Sequence, residues 1–355
     1  MVDGLEILPV RGIGDVPAGA DLAELITRHA PWLRDGDVLV VTSKIVSKAE
    51  GRLVEVPADG PERDAARAAA LAAETRRVVA RRGSTSIVQT HHGFIMAAAG
   101  IDASNVDKTH LVLLPKSPDD SARRLRAALA ARGLQVGIIV SDTMGRAWRN
   151  GLTDVALGAA GVGPFRDHRG EIDPYGNELQ LTQMAVVDEL AAAGELVKGK
   201  CDQVPVAVVR GYPGVGAAET PGADVLLRDS ASDMFSLGTA EAHAEGLRTA
   251  ATLPQATAEH PADADAVHRA LATAGLDDVV AAPAPHTLRC TVTDSTPEAL
   301  MQFGADVHRL RSALAAEGLS STVTYDQTGA TIAVTATEAA ATRAAVTATA
   351  TERRP

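Results

Sequence analysis

Apolar residues in the first 250 positions come in short runs separated by amphipathic stretches, and the alternation predicts strands exchanging with helices. Residues 37–41, 110–114, 136–140 and 204–209 are almost unbroken Val, Leu and Ile, the pattern of strands covered on both faces. Ser117, Pro118, Asp119 and Asp120 form a capping box with proline in the first turn, and Gly133 follows, which predicts a helix over residues 118–132. A second helix is expected over 183–193. Arg76, Arg77, Arg81 and Arg82 precede Gly83 and are read as the cationic end of a helix closed by a left-handed glycine, a structural feature rather than a ligand site. The fold class that follows is mixed α/β (α+β).

Past residue 250 the chain changes character. Residues 251–263 are Ala, Thr, Pro and small polar residues, the composition of a linker, so the expected division is a first domain over 1–250 and a second over 264–355. The second reads as a helix (264–275), a strand (286–293), a helix (297–318), a hairpin around Thr328 and Gly329, and a last helix. That small α+β module contains no cluster of catalytic residue types, and is expected to be a structural or partner-binding appendage of unknown role.

Charge narrows the partners. A net charge of −11 works against nucleic-acid polymers and anionic membranes, so any basic site must be local. Cys201 and Cys290 have no CxxC companion, which excludes a zinc ribbon and fits a reducing cytoplasm. The first residues include Asp3 and Glu6 where an export signal needs a basic flank, and no apolar run is long enough to span a bilayer. A cytoplasmic protein is expected.

Four stretches carry candidate chemistry. Val40 and Val41 run into Thr42, Ser43, Lys44 and, one turn on, Lys48, which reads either as hydroxyls and two ammonium groups gathered for a polyphosphate at a strand end where α/β proteins bind ligands or, equally, as two solvated lysines on an amphipathic helix. The run 136–140 leads through Ser141 to Asp142 and Thr143, where an acid on a rigid strand could hold Mg²⁺ or Mn²⁺ against phosphate oxygens. Arg146, Trp148, Arg149 and Asn150 follow between glycines, and two guanidinium groups suit a carboxylate or phosphate; with two Trp in the chain, Trp148 stands out there. Asp102 and Asn105 follow Gly100 in a stretch that alone reads equally as a turn. The loop from Arg169 to Glu178, with Asp173, Tyr175 and Asn177, reads as a substrate loop or a polar excursion. The run from Gly194 through Gly199, Lys200 and Cys201 nearly has Walker A spacing, but it lacks the final Ser or Thr and follows a helix, which rejects a P-loop.

Taken in order, these motifs resemble the coenzyme F420-0:L-glutamate ligases, the gamma-glutamyl ligases of deazaflavin biosynthesis. The resemblance spans about residues 5–248 and includes Leu8-Pro9-Val10-Arg11-Gly12, the stretch 35–48, Asp102 to Asn105, Ser141 to Gly151, Asp173 to Glu178 and Pro205 to Gly211. It implies a GTP-dependent ligase that adds L-glutamate to coenzyme F420-0 through an acyl phosphate and then adds further gamma-linked glutamates. Two divalent cations (Mg²⁺ or Mn²⁺), a monovalent cation such as K⁺ and an intertwined homodimer with a mixed sheet are also implied. By position, Ile13, Gly14, Asp15, Val16, Ser43, Lys48 and Asn105 would contact GTP, and Asp102, Asp142 and Thr143 would hold metal; the strand-end reading adds Lys44 beside the phosphates. Nucleotide and metal contacts are implied around 198–203 as well, where Lys200 replaces the Gln of some relatives. Asp142, Arg146 and Arg149 are the expected catalytic residues. Some relatives carry a fused flavin-dependent domain; the 264–355 module is shorter and lacks a flavin motif, so no flavin is expected. The competing readings are a catalytically silent nucleotide-binding scaffold and an amide ligase with another anionic acceptor.

Overall fold

The structure, a computed structural model, describes residues 4–103, 106–216, 219–230, 232–253, 261–276, 280–281, 286–292 and 294–337. The chain divides into two compact units, Met1–Gly238 and Thr239–Pro355. The division falls ahead of the Ala/Thr/Pro stretch that composition marks as a linker.

In chain order the first unit comprises β1 (Glu6–Val10), α1 (Leu22–His29), β2 (Val38–Thr42), α2 (Ser43–Ala49), β3 (Leu53–Glu55), α3 (Gly60–Glu74), β4 (Thr75–Arg82), β5 (Thr85–Thr90), β6 (Ile95–Ala97) and β7 (His110–Val112). It continues with α4 (Pro118–Ala130), β8 (Gly137–Arg146), β9 (Arg149–Ala160), β10 (Arg166–Asp167), β11 (Gln183–Met184), α5 (Val186–Lys198) and β12 (Val206–Arg210). Its main sheet has the order β1-β12-β2-β8-β9 and is mixed: β2 and β8 are parallel, Val38 opposite Gly137 through Thr42 opposite Ser141, and the other pairs are antiparallel. Successive side chains of β2 serve two different cores. Leu39 and Val41 pack with Ile138, Val140, Val206 and Val208 and with Ile26 of α1 and Leu125 and Leu129 of α4. Val38 and Val40 pack on the other face with Ile139, Ala207, Val209 and with Val187, Leu190 and Ala191 of α5. Two covered faces explain the unbroken apolar runs.

Two expectations change in this unit. The arginines 76, 77, 81 and 82 lie in β4, not at a helix end; α3 stops at Glu74, and Gly83 (φ +57°) turns the chain into β5. The β-branched pair Val78 and Val79 supports the pleat, and Arg77 keeps the structural role expected of it, donating from Nε to Gln89 Oε1 (2.7 Å) and from Nη2 to the Ser236 carbonyl (2.7 Å). The helix expected over 183–193 instead spans Val186–Lys198, because Gly194 belongs to it: a Cβ there would lie 2.9 Å from Val40, so glycine lets α5 seat directly on β2. Pro118–Ala130 keeps the expected start, with Ser117 Oγ accepting from the Asp120 N–H at 3.4 Å.

The second unit holds α6 (Thr239–Thr252), α7 (Ala264–Ala274), β13 (Val280–Ala281), β14 (Thr287–Thr291), α8 (Pro297–Ala316), β15 (Leu319–Asp326) and β16 (Gly329–Ala336). Its sheet is antiparallel, β13-β14-β16-β15, with the hairpin turn where Thr328 and Gly329 predict it. Leu310 and Leu314 of α8, Ala266 and Ala270 of α7, and Leu288, Ile332 and Val334 of the sheet form a separate core. The last helix expected toward the C-terminus falls outside the described residues.

Candidate active site

β1, β2 and β8 run in one direction and β12 runs against them, so three strand C-termini and the start of β12 share one edge of the sheet. A cavity of about 940 Å³ opens at that edge. Gly14, Asp15 and Val16 line it from beyond β1, Thr42, Lys44 and Lys48 from the β2–α2 junction, Asp142 and Thr143 from β8, Asp154 from β9, and Glu195, Lys198 and Lys200 from the end of α5 onward. Asp102 enters through a bridge to Val112 that fastens its loop to the end of β7.

Six carboxylates and four lysines line this cavity. Lys44 Nζ lies 2.5 Å from Asp102 Oδ2. Lys198, buried, donates to Asp154 Oδ2 (2.8 Å) and Ser141 Oγ (2.9 Å), and Glu195 Oε2 is 3.3 Å away. Lys200 is 2.5 Å from Glu195 Oε1. Among the described residues Asp142, unlike Asp102, Asp154 and Glu195, has no lysine within ion-pair distance. Burial pushes its carboxyl up to about 6; the Thr143 N–H and Lys44 oppose this, and the Asp154 and Asp102 carboxylates add to it. Burial would raise Asp154 too, but the Lys198 ammonium and the hydroxyls of Thr143 and Ser141 outweigh it and hold that carboxyl below its ordinary range. Two neighbouring acids are thereby pushed in opposite directions.

The donor set suits a hard divalent cation. Asp142, Asp102 and the Thr143 hydroxyl offer oxygen only, and among the described residues Asp142 has no ion-pair partner of its own, Lys44 being paired with Asp102. Among the described residues no group of three or more His, Cys, Asp or Glu closes a cage of its own. Such an open set leaves positions for phosphate oxygens and water, as Mg²⁺ sites do.

The remaining expected residues are distributed unequally. Lys48 lies on the cavity wall with its Nζ 2.6 Å from Asp15 Oδ1, and that hydrogen bond and charge hold the Asp15 carboxyl below its usual range. Ile13 and Val16 are buried in the core beneath, and Ser43 is buried at the start of α2. Arg146 and Arg149 are brought to the exposed end of the β8–β9 hairpin and do not line the cavity, although the adjoining pair Gly145 and Leu152 does; Arg146 Nη2 donates to the Asn150 carbonyl at 2.7 Å. Asn105 lies outside the described residues. Asp173 accepts from the Tyr175 and Asn177 N–H groups (2.8 and 2.9 Å), so its loop is a turn closed by its own acid. Asp154 and Glu195 are cavity residues that sequence reasoning missed, while Lys198 opens the 198–203 stretch where the resemblance implies contacts. Asp154 had one signal, a lone acid opening the apolar run 155–160.

Residues 12–211 match the family described as F420-0:Gamma-glutamyl ligase. The chain is 40% identical over 250 residues to the "Coenzyme F420:L-glutamate ligase" of Methanothermobacter thermautotrophicus, an alignment covering 65% of this chain and 99% of that protein. It is 39% identical over 246 residues to the protein of that name from Methanopyrus kandleri (65% and 97%), and 43% identical over 220 residues to that of Halobacterium salinarum (57% and 85%). The strand-end acids and lysines all lie inside these matched stretches, and the chain belongs to the F420-0:Gamma-glutamyl ligase family of ligases.

Proposed function

We propose that this ligase uses GTP to join L-glutamate to coenzyme F420-0 and then adds further gamma-linked glutamates, through an acyl phosphate, in the cytoplasm. The observation that carries the reading is a cavity lined together by Asp102, Asp142, Thr143, Lys44 and Lys48. A carboxylate is a poor acyl donor until phosphorylated, and phosphoryl transfer depends on positioned cations rather than a protein nucleophile. In the first step the acceptor carboxylate oxygen bonds to the γ-phosphorus and GDP leaves with the electron pair. In the second, the glutamate amine bonds to the acyl carbon, phosphate departs, and the amine gives up a proton.

Lys48 and Lys44 neutralise phosphate charge; the loop from Ile13 to Val16, Ser43 and Asn105 position the nucleotide. Asp102, Asp142 and Thr143 would hold two divalent cations, Mg²⁺ or Mn²⁺, which supply charge neutralisation across the phosphate oxygens. Arg146 and Arg149 are assigned to the anionic substrates, and a homodimer is the state in which their exposed hairpin end would work. Trp148 (88% exposed), Leu152 and Phe235 give that dimer an apolar surface to cover.

Incubation with F420-0, L-glutamate, GTP and Mn²⁺, read by mass spectrometry, should give products heavier by whole glutamyl units, with GDP formed in step. Absence of product would overturn the reading in favour of another acceptor or a silent scaffold.

A further inference from the structure

Lys200 stands two positions past the end of α5, after Gly199 (φ +61°) has turned the chain back toward β8. Its Nζ is 2.6 Å from Thr143 Oγ1, 2.5 Å from Glu195 Oε1 and 3.9 Å from Asp154 Oδ1. The Thr143 hydroxyl hydrogen is already committed, because Oγ1 donates to Asp154 Oδ1 at 2.7 Å. The oxygen therefore presents lone pairs, and Lys200 takes one of them. Oxygens from β8, β9 and α5 thus converge on one tethered charge.

Hydroxyl and carboxylate oxygens around a single positive point are the surroundings of a bound inorganic cation. An ammonium is a compact monovalent charge on a flexible stem, able to settle into such surroundings. Lys198 does not compete for the position, since it is buried behind Asp154 and engaged with Oδ2 and Ser141. We propose that the Lys200 ammonium is a resident monovalent cation at the cavity wall, so that this site needs no K⁺ to bind its anionic ligands. The inference rests on the proposed function only in taking GTP as a ligand of the cavity. An ordinary exposed ion pair would have no ion-specific consequence. A cation's place does, because emptying it lets a free ion enter.

The test compares wild type with Lys200→Gln and Lys200→Ala in KCl and in choline chloride of equal ionic strength. Without nucleotide, KCl should raise the melting temperature of the variants above its value in choline chloride and leave wild type unchanged, by binding linkage. By titration calorimetry with Mn²⁺ present, wild type should bind GTP equally in both salts. The variants should bind about tenfold more weakly in choline chloride and recover in KCl. Variants that melt alike in both salts, or a wild type as K⁺-dependent as they are, would overturn the proposal. A wild type that binds no GTP would instead remove the proposed function, and the melting comparison would still decide the role of Lys200.

Discussion

Asp142 and Asp154 sit on adjacent strands of one hairpin, yet the protein keeps one ready to take up a proton and the other ionised. The difference is local company: Lys198 is ion-paired with Asp154, whereas Asp142 has no ion pair among the described residues and Lys44 only partly offsets its burial. Under the proposed function, a divalent cation and a proton would compete for Asp142. Mn²⁺ affinity should rise about tenfold per pH unit up to about 6 and level off above it, and Asp142→Asn should abolish that slope. Because the folded-state value is raised from 3.8, the metal-free protein binds this proton more tightly than the unfolded chain does. Stability from this group therefore falls as pH rises between about 4 and about 6, then stays flat. Asp142→Asn should also cut turnover at least ~100-fold without lowering the melting temperature. Lys198→Met tests the neighbouring pair: it leaves Asp154 buried without its cation, so denaturant unfolding should show a loss of ~3–5 kcal/mol. These two positions also mark what could be read beforehand. Asp142, Thr143, Lys44 and Lys48 were legible because they end apolar strands, where ligand chemistry collects. The stretch opening at Lys198 was legible only through the resemblance, and its pairing with Asp154 not at all, because that pairing depends on how α5 seats on β2.

At the scale of elements, apolar periodicity located the sheet but did not specify its joints. The arginines before Gly83 suit a helix end by charge and a strand by their β-branched neighbours, and pairing of β4 with β5 decides between them. Another joint lies where β9 meets the start of α4. Asp119 Oδ1 accepts from the Ala159 N–H at 2.8 Å and the Ala223 N–H at 2.7 Å, which draws the helix start onto the strand. Gly158 makes this approach possible: a Cβ there would fall 2.2 Å from the Pro118 carbonyl carbon and 2.6 Å from the Asp119 nitrogen. Both obstacles are backbone and cannot swing aside. Gly158→Ala should therefore destabilise by ~1–3 kcal/mol or more in chemical denaturation, whereas Gly133→Ala, a helix end with nothing within 4 Å, should cost only its left-handed strain. Since β9 carries Asp154, the first variant should also weaken Mn²⁺ binding.

For the whole molecule, the two units answer to different requirements. The first holds the cavity and two of the cores, one on each face of its main sheet, and the second has a core of its own built on α7, α8 and the β14–β16 hairpin sheet. Every residue placed at the cavity lies before Arg210, inside the matched stretch 12–211. Moreover, the Methanothermobacter protein is matched over 99% of its length by 65% of this chain, so the alignment leaves about a third of this chain with no counterpart in that protein. A chain ended after Gly238, where the compact units divide, should therefore fold, melt cooperatively and retain most of the glutamate transfer of the full-length protein. The corresponding fragment from Thr239 should melt on its own and bind neither GTP nor Mn²⁺. Flavin absorbance should be absent from full-length protein and both fragments. A folded, inactive 1–238 chain would show that the second unit supplies something to the site, and equal activity in the two chains would confine the chemistry to the first.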